Sequence, residues 1–392
     1  MIEGVPDHQC TGCTACAQIC PKNCIQMIPD SEGFLHPQVD AAQCISCSLC
    51  TRTCPVLHQP TTSDAQTQAY AAMIAEEPVR LKSTSGGTFT ALARWVFRHG
   101  GVVFGAAYAE DFSVYHCAVT DEEQLQMLRT AKYAQSRLGD TFAQVKTALK
   151  QGREVLFSGT PCQIAGLQAY LKKSYENLIL ADVICHGVPS PKVWRHYLDF
   201  RRKTDAPDSA IKSVNLRSKE TGWPSYSIRF EYENGSVYSA RSSEDPFLRG
   251  FVGDYYLRPS CYECPFKGIS RPGDFTLADY WGVDGQLPEY DDGKGTSLVF
   301  VHSEKGKRIW EAVQKDLRCQ MVDPELAVKW NPSALTASRQ PDDRDAFWNR
   351  YEQANFGTLI EELLPPPPAP VPPSFYRRAV GKIRRMIHKW GS

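Results

Sequence analysis

Two copies of one cysteine pattern occupy the first 54 residues of the chain. Each copy closes with a proline after its fourth cysteine, so the spacing C-x2-C-x2-C-x3-C-P occurs twice. The cysteines are Cys10, Cys13, Cys16 and Cys20 in the first copy, and Cys44, Cys47, Cys50 and Cys54 in the second. Three thiolates at two-residue intervals can surround one face of an iron–sulfide cubane, whereas the fourth is turned away from it. The pattern therefore predicts two metal clusters that exchange their fourth ligands.

This spacing is typical of bacterial two-cluster ferredoxins, and it predicts both ligand sets. One [4Fe-4S] cluster is expected on Cys10, Cys13, Cys16 and Cys54, and the second on Cys44, Cys47, Cys50 and Cys20. A pair of zinc sites, in a zinc-stabilised binding module, is the alternative. Zinc sites normally use two separated pairs of ligands, so a run of four closed by proline favours iron and sulfide.

Length and composition limit what the remainder of the chain can be. The chain has 392 residues, too many for the cysteine-rich segment alone, and a prior of ~150 residues per domain gives two or three domains. Hydrophobic residues make up 42%, with 17 Phe, 17 Tyr and 8 Trp, which is enough for a large core. The 44 basic and 44 acidic residues balance, so no overall field indicates a nucleic-acid partner.

Neither a leader nor a membrane span is expected from the sequence. The opening residues, MIEGVPDHQC, contain no basic stretch followed by an apolar one. No run approaches the ~18 apolar residues of a spanning helix. The 15 cysteines do not follow the spacing of a secreted disulfide scaffold, and cysteines kept reduced for metal binding indicate a cytoplasmic protein.

Changes of composition divide the chain into four expected parts. Residues 1–58 form a ferredoxin-type domain, whose middle section, 25–40, is expected to be a hairpin around the turn at 29–33. A polar linker at 59–67 leads to a globular body at 69–355. A polyproline linker at 365–373 and a basic amphipathic tail at 374–392 follow.

Alternating strands and helices predict a parallel α/β arrangement in the body. Buried strands are expected at 102–108, 154–157 and 178–184, and helices at 88–97, 163–172 and 191–202. Residues 226–241, with Asn234-Gly235 near their centre, predict an antiparallel hairpin. The expected fold class is therefore α+β / α/β, with a small ferredoxin-like domain followed by an α/β body.

Four further cysteines predict a third cluster. Cys162 follows one buried strand and Cys185 ends the next, and the C-terminal ends of adjacent parallel strands meet at the edge where ligands bind. A later loop supplies the pair Cys261 and Cys264. The alternative is that Cys162 and Cys185 are ordinary buried core cysteines. Three cysteines remain without partners at ligand spacing and are expected to be small core residues: Cys24, Cys117 and Cys319.

Short motifs spread over residues 80–305 resemble the beta subunit of coenzyme F420-reducing hydrogenase and its dehydrogenase relatives. The order and combination of these motifs are specific to the family, although each motif alone is weak evidence. The motifs are Ser85-Gly86-Gly87-Thr88, Ala131-Lys132-Tyr133, Gly159-Thr160-Pro161-Cys162-Gln163, Cys185-His186-Gly187, Cys261-x2-Cys264, residues 274–282 (DFTLADYWG) and Gly295-Thr296-Ser297. Joined to an N-terminal dicluster ferredoxin domain, this is an arrangement familiar from bacterial members of the family.

The resemblance implies a flavin-binding body that holds FAD beside a [4Fe-4S] cluster on Cys162, Cys185, Cys261 and Cys264. The residues expected to bind the flavin are Ser85, Gly86, Gly87, Lys132, Tyr133, Thr160 and Gln163. Residues 83–87 place hydroxyls and glycines at a helix start, where a pyrophosphate can be bound. The alternative there is an ordinary serine-capped helix. For Lys132 the alternatives are phosphate binding, stabilisation of reduced flavin, or a solvated surface lysine.

Three clusters and FAD would make the chain a converter between one-electron and two-electron chemistry. The expected path runs from a ferredoxin-like donor through the clusters and FAD to a small-molecule substrate, in either direction. The resemblance implies F420 as substrate or cofactor or, in bacteria, a sugar-linked metabolite of polysaccharide biosynthesis. His186 and Asp279 are the candidate catalytic residues, with core or turn-capping roles as alternatives. The competing hypothesis is an electron-transfer subunit of a larger redox complex without substrate chemistry of its own.

The tail predicts contact with an anionic membrane surface. Residues 375–390 carry six basic residues and no acidic one, and apolar residues recur there at helical spacing. This contact would place the protein peripherally on the inner face of the membrane. The alternative is a basic tail that is disordered or binds a partner.

Overall fold

The computed structural model describes residues 2–60 and 66–365. The expected basic tail and all but the first residue of the expected polyproline linker lie outside this range, as does the centre of the polar linker, 61–65.

The N-terminal segment consists of two short helices and a hairpin. They are α1 (Ala15–Gln18), β1 (Ile25–Pro29), β2 (Leu35–Val39) and α2 (Leu49–Arg52), preceded by a 3-10 turn at Ile2–Gly4. Strands β1 and β2 are antiparallel, with Ile25 opposite Val39, so the predicted hairpin is confirmed. Thr14 and Ser48 stand before the two helices with φ of 64° and 59°. The two cysteine runs therefore repeat one backbone conformation.

The body is built on an eight-stranded mixed sheet. The order across it is β13-β3-β12-β11-β7-β6-β4-β5. The central strands β4, β6, β7 and β11 are parallel, and the outer pairs are antiparallel. The strands are β3 (Gln68–Ile74), β4 (Val102–Tyr108), β5 (Val114–Val119), β6 (Val155–Ser158), β7 (Leu178–Val183), β11 (Phe275–Asp279), β12 (Ser297–Val301) and β13 (Leu317–Val322).

A separate antiparallel sheet of three strands holds the second predicted hairpin. Its order is β10-β9-β8, formed by β8 (Ile211–Ser218), β9 (Ser227–Tyr232) and β10 (Val237–Arg241). The hairpin expected at 226–241 is confirmed, with Gly235 at φ 85° in its turn. This sheet lies over an aromatic core that includes Trp194, Tyr197 and Phe247.

Helices connect and cover the strands. They are α3 (Glu77–Leu81), α4 (Thr88–Arg98), α5 (Glu122–Leu125), α6 (Thr141–Lys150), α7 (Pro161–Leu171), α8 (Pro191–Asp205), α9 (Pro246–Val252), α10 (Val283–Gln286), α11 (Glu304–Val313), α12 (Pro324–Ala327), α13 (Arg344–Trp348) and α14 (Phe356–Leu363). Further 3-10 turns occur at Pro259–Cys261, Pro288–Tyr290, Gln314–Asp316, Val328–Trp330 and Pro332–Ala334. The three predicted helices correspond to α4, α7 and α8.

Strand alternation divides the sheet residues between two helical layers. Leu156 and Ile179 pack toward α4 and α11 on one face. Their neighbours Phe157 and Leu180 pack toward α6 and α7 on the other. Successive side chains of a strand point to opposite faces, so a run of apolar residues buries both. The predicted α/β fold class is confirmed.

The packed body continues beyond the boundary expected at residue 355. Helix α14 begins at Phe356, and Phe356, Leu359 and Ile360 are fully buried in the aromatic core. The apolar residues of this helix lie directly before a proline-rich stretch. Composition alone therefore does not show whether the helix belongs to the globular body or to the linker.

The N-terminal segment packs directly on the body. Glu32, in the β1–β2 turn, forms a two-pronged ion pair with the buried Arg344. Its carbonyl accepts a hydrogen bond from Ser190 at the start of α8. On the opposite side, the Phe142 amide donates to the Gln18 side chain at 2.9 Å. These contacts hold the segment against the sheet.

Across the described ranges, none of the helices has both the length and the apolar character that a bilayer span requires.

Replacement of Ile360 by alanine should lower the free energy of unfolding by about 2–5 kcal/mol, because a fully buried side chain leaves a cavity. Anaerobic thermal unfolding measures this change. The exposed neighbour Glu361→Ala is the matched control and should unfold like the parent. If the two variants unfold alike, α14 is not part of the body.

Candidate functional site

Four cysteines of the first predicted ligand set line one cavity at the base of the N-terminal segment. They are Cys10, Cys13, Cys16 and Cys54. The fourth comes from the second cysteine run, so the four cysteines of the predicted set lie together. We call this the proximal cavity, since Cys13 touches the body near Gly166 of α7.

The second predicted set lines a separate cavity farther from the body. Cys20, Cys44, Cys47 and Cys50 surround it, with Cys24 beside them. Cys47 is solvent-exposed. The sulfur of Cys24 lies 3.4 Å from that of Cys20, and Cys24 is buried as predicted. We call this the distal cavity.

The third predicted set also converges. Cys162, Cys185, Cys261 and Cys264 line a cavity at the carboxyl edge of the central strands, which we call the body cavity. Parallel pairing of β6 with β7 aligns Ser158 with Ala181, so the segments that carry Cys162 and Cys185 leave the sheet side by side. The loop after α9 delivers the other two. The amide of Val188 donates to the Cys261 sulfur at 3.3 Å.

Thiols in the body cavity are strongly desolvated. Burial, with a smaller contribution from neighbouring thiolates, raises the pKa of Cys185 to about 11 and that of Cys261 to about 12. Such thiols cannot ionise together without a cationic centre, and metal coordination supplies one. The donor set therefore fits a metal–sulfide cubane. Within the described chain, no three His, Cys, Asp or Glu side chains converge as they would around a single ion.

A much larger cavity, of about 630 Å³, adjoins the body cavity. Its volume lies within the roughly 300–1,000 Å³ typical of ligand sites. Cys162, Cys185 and His186 line both cavities. Of the nine residues predicted for flavin binding or catalysis, eight line it: Ser85, Gly87, Lys132, Tyr133, Thr160, Gln163, His186 and Asp279.

Gly86 is the predicted residue that does not line this cavity. It is buried against β3, where an added Cβ would collide with the carbonyl oxygen of Ala72. Its amide donates to the Ser297 hydroxyl at 3.0 Å. The glycine is therefore required for close backbone packing, and its predicted contact with a cofactor is not seen.

The start of α4 is not a serine-capped helix. Its N-cap is Gly87, at φ 91°, with no side-chain cap, while the Ser85 hydroxyl donates to the Thr296 carbonyl at 2.8 Å. The hydroxyl of Thr88 is buried, lines the large cavity and has no hydrogen-bond partner. An uncapped helix start with an unpartnered hydroxyl fits an anionic group such as a pyrophosphate.

Lys132 is not a solvated surface lysine. Its ammonium donates to the carbonyls of Met127, Arg129 and Thr130. Burial lowers the pKa of Lys132 to about 7. A buried amine at the wall of a cavity is charged more readily when an anion lies next to it.

Thr160 and Gln163 combine structural and site roles. The Gln163 side chain accepts from the Thr160 amide at 2.9 Å and so caps α7. The Thr160 hydroxyl lies 3.1 Å from the Cys162 sulfur. Tyr133 packs on Phe251, with ring centroids 4.8 Å apart, and burial raises the pKa of its hydroxyl.

Asp279 fixes a cation at the cavity wall. Its carboxylate accepts from the Arg217 guanidinium at 2.6 Å and from the Trp223 indole at 3.0 Å. Arg217 is buried, lies over the Tyr226 ring at 3.8 Å, and its Nε has no partner. This geometry indicates that Asp279 orients Arg217 and excludes the turn-capping role considered for it.

His186 stands where the body cavity meets the large cavity. Its Nε2 lies 2.6 Å from a carboxylate oxygen of Asp254, although the angle is not that of a hydrogen bond. Its Nδ1 faces the Ser333 hydroxyl at 3.4 Å. Asp254 adopts φ 67°, a strained conformation for a non-glycine residue. The imidazole and the carboxylate therefore lie side by side at this junction.

Sequence reasoning missed Arg217, Arg129 and Asp254. Arg129, which donates to Thr90 at 3.1 Å and lines the large cavity, stands just before a family motif and could have been proposed from it. Arg217 comes from the separate small sheet, and Asp254 from the loop after α9. No local pattern marks either of them, because tertiary packing alone brings them to the site.

Comparison with known proteins agrees with this arrangement. Residues 9–57 match the model of the 4Fe-4S dicluster domain, and residues 152–326 match the model of the C terminus of the coenzyme F420 hydrogenase/dehydrogenase beta subunit. The dicluster match confirms iron and sulfide over the zinc alternative in the N-terminal segment.

Among solved structures, the chain resembles one from the F420-reducing [NiFe] hydrogenase complex of Methanosarcina barkeri, a xenon derivative, with 17% identity and a TM-score of 0.44. That similarity covers 65% of this chain and 81% of the other. No curated protein matches the chain.

Substitution of single cysteines should report which cavity each ligand serves. Cys54→Ala should perturb the same reduced-state EPR signal as Cys13→Ala, because both line the proximal cavity. Cys20→Ala should instead resemble Cys50→Ala. The matched control is Cys117→Ala, a cysteine outside all three cavities, which should keep every signal. If Cys54→Ala affects the same signal as Cys50→Ala, the exchange of fourth ligands is wrong.

Binding of FAD should weaken as pH rises above about 7, the lowered pKa of Lys132. The pKa of an unfolded lysine is ~10.4, so between pH about 7 and ~10.4 the unfolded chain binds more protons than the folded one. The flavin-free fold therefore gains stability as the pH rises through this range. An anionic ligand favours the protonated form of Lys132, so above pH about 7 its affinity should fall by up to about tenfold for each unit that the pH rises. Fluorescence titration of FAD measures this.

Lys132→Gln should remove that pH dependence. Lys219→Gln is the matched control, since burial also lowers the pKa of Lys219 to about 7, its ammonium is likewise held by three carbonyls, and it does not line the large cavity. The control should keep the dependence. Equal pH profiles for parent and Lys132→Gln would exclude Lys132 from anion binding.

Proposed function

The chain joins a 4Fe-4S dicluster domain to the C-terminal region of the coenzyme F420 hydrogenase/dehydrogenase beta-subunit family, and from this we propose that it is an iron–sulfur flavoprotein oxidoreductase. It would move electrons between a ferredoxin-like donor and a two-electron substrate through three [4Fe-4S] clusters and FAD. The iron–sulfur and oxidoreductase assignments follow from the family. The third cluster, the flavin and the substrate belong to the proposal.

The observation that carries the proposal is the continuity of the cavities. Thr11, next to Cys10, lines the proximal, body and large cavities alike. Cys162 and Cys185 form a common wall of the body and large cavities. Cys20 of the distal set packs in the same cluster as Cys54 of the proximal set, so the three sets of four thiols lie in series beside one ligand-sized cavity.

Iron–sulfur clusters exchange single electrons, and a flavin converts them to pairs for a hydride-type substrate. The residues of this chain supply the surroundings for that conversion. Thr88 and Arg129 offer donors to the phosphates at the start of α4, and Lys132 offers a cation nearby.

We assign the donor side to the distal cavity. Cys47 there is exposed to solvent, whereas most cysteines of the proximal cavity are buried and all four of the body cavity are partly buried. A redox partner therefore has its shortest approach at the distal cavity. A ferredoxin-like protein or a partner subunit would serve as donor or acceptor.

The substrate side is assigned to the part of the cavity walled by the small sheet. The Arg217 guanidinium, held by Asp279, faces it with an unpartnered Nε, and the rings of Tyr226 and Trp281 lie 3.8 and 5.3 Å from that cation. Aromatic surfaces and one cation suit a planar or anionic metabolite. His186, paired with Asp254, is placed to give or take the proton. F420 and a sugar-linked metabolite both remain within this chemical class.

The second candidate function is an electron-transfer subunit without substrate chemistry. One observation favours it: the matching family is described as a beta subunit, and subunits of redox complexes work with partners. In that case the Arg217 side of the large cavity would be covered by a partner chain.

We also propose a cytoplasmic location, because free thiols that bind iron must stay reduced. Contact of the basic tail with the inner face of the membrane stays a prediction from the sequence.

Anaerobically purified protein should contain about twelve irons per chain, from three four-iron clusters, and about one FAD. After reduction with dithionite and removal of excess reductant, mixing with one matching oxidant should reoxidise it without any partner protein. F420, nicotinamides and sugar nucleotides are the oxidants to compare, with stopped-flow absorbance as readout.

Arg217→Gln is the informative variant for that assay. It should slow reoxidation by the substrate at least tenfold and leave reoxidation by ferricyanide, which accepts electrons at exposed clusters, unchanged. Full cluster content without bound flavin would contradict the proposed function. Bound flavin that no oxidant reoxidises unless a partner protein is added would favour the electron-transfer subunit.

A further inference from the structure

Arg258 is a fully buried arginine at the contact between the N-terminal segment and the body, with 1% of its surface exposed. Its backbone is hydrogen-bonded to residues that line the body cavity. Its amide donates to the Val188 carbonyl at 2.9 Å, and its carbonyl accepts from the Cys261 amide at 2.8 Å. The side chain lines the body cavity and extends toward the proximal one.

The guanidinium is held by neutral acceptors from both sides of the contact. It donates to the carbonyls of Cys10 and Leu35 at 2.6 and 2.9 Å. It also donates to the side-chain oxygen of Gln135 at 3.0 Å. Gln135 in turn donates to the Thr11 carbonyl at 3.2 Å. The first cysteine run is thus fastened to the body through this cation.

Close approach at this point requires glycine. Gly12 lies at φ +66°, and an added Cβ would lie 2.8 Å from the guanidinium and 2.7 Å from the Gln135 nitrogen. The backbone between Cys10 and Cys13 therefore runs directly over the cation, and no side chain separates them.

No carboxylate neutralises Arg258 among the residues that the structure describes. His36 lies 3.2 Å from the guanidinium, and the carboxylates beyond it are paired with His36, Asp30 at 3.2 Å and Asp7 at 3.6 Å. Arg344 shows the contrast. It crosses the same contact, is also buried, and is neutralised by Glu32.

We propose that Arg258 sets the reduction potentials of the clusters in the proximal and body cavities, by placing one uncompensated positive charge between them. This inference rests on the proposed function, since it needs both clusters. Reduction adds one electron and one negative charge to a cluster, and it needs no proton if the neighbouring cation is permanent. An arginine is always charged in proteins, and its effect is large where water is excluded. The cation would therefore favour the reduced states of the clusters in the proximal and body cavities. These two cavities lie between the distal cavity and the large one.

Potentiometric titration monitored by EPR tests the proposal, with Arg258→Gln as the first variant. The reduction equilibria of the clusters in the proximal and body cavities should become at least tenfold less favourable. This change corresponds to a shift of ~59 mV to lower potential for a one-electron reduction. The distal signal should stay within a threefold change. Arg258→Lys retains the charge and should retain most of the potential.

Two further variants keep the test decisive. Gln135→Glu places a carboxylate against the guanidinium and should lower the same two potentials even if Arg258→Gln does not retain its clusters. The double variant Glu32→Gln with Arg344→Gln removes a neutralised pair from the same contact. It should weaken thermal stability and leave all three potentials unchanged.

The outcomes separate this inference from the proposed function. If wild-type protein shows no body-cavity cluster, the proposed function fails. If all three clusters are present and neither Arg258→Gln nor Gln135→Glu moves the two inner potentials relative to the distal one, Arg258 is only a structural link. Equal shifts in the double variant would also overturn the role of uncompensated charge.

Discussion

The parallel register of the central strands determines where everything else in the body can lie. Because β6 pairs with β7, and β7 with β11, their carboxyl ends open onto one edge of the sheet. Cys162, Cys185 and Asp279 each follow or end one of these strands. Ligands bind at this edge in open α/β sheets. The body cavity and the neighbouring large cavity are therefore both consequences of one backbone arrangement, and a shift of register would separate the residues that line them.

Electrostatics distinguishes the thiol-lined cavities from the large cavity beside them. Burial disfavours thiolates, and each thiolate opposes ionisation of its neighbours, as the raised pKa values of Cys13, Cys185 and Cys261, about 12, 11 and 12, show. A cationic metal core removes both penalties at once. The large cavity has the opposite character, since its walls carry Arg129, Lys132 and Arg217. The fold thus prepares anionic ligands for metal in one place and cationic groups for an anionic ligand next to it.

The sequence alone predicts features that depend on a repeated motif or on neighbouring residues in the chain. The ligand sets of Cys10 to Cys54 followed from spacing, and the strand–helix order placed Cys162 and Cys185 correctly. Gly86 packs against Ala72 and does not line the large cavity, and the sequence does not distinguish a glycine needed for such packing from one needed for phosphate binding. Arg217, Asp254 and Arg258 were not predictable, because each reaches its place from a different loop or sheet. Only tertiary packing reveals which of the many arginines carries a charge without a partner.

The contact between the N-terminal segment and the body matters more than the linker that joins them. A flexible linker of this length would let the two parts take many separations, and electron transfer depends on one fixed short separation. The structure fixes it by packing: Cys13 against Gly166, Glu32 against Arg344, and Arg258 against the backbone of Cys10. The last two contacts are polar, so they fix direction as well as distance. The packing that stabilises this contact therefore also sets the separation between the proximal and body cavities.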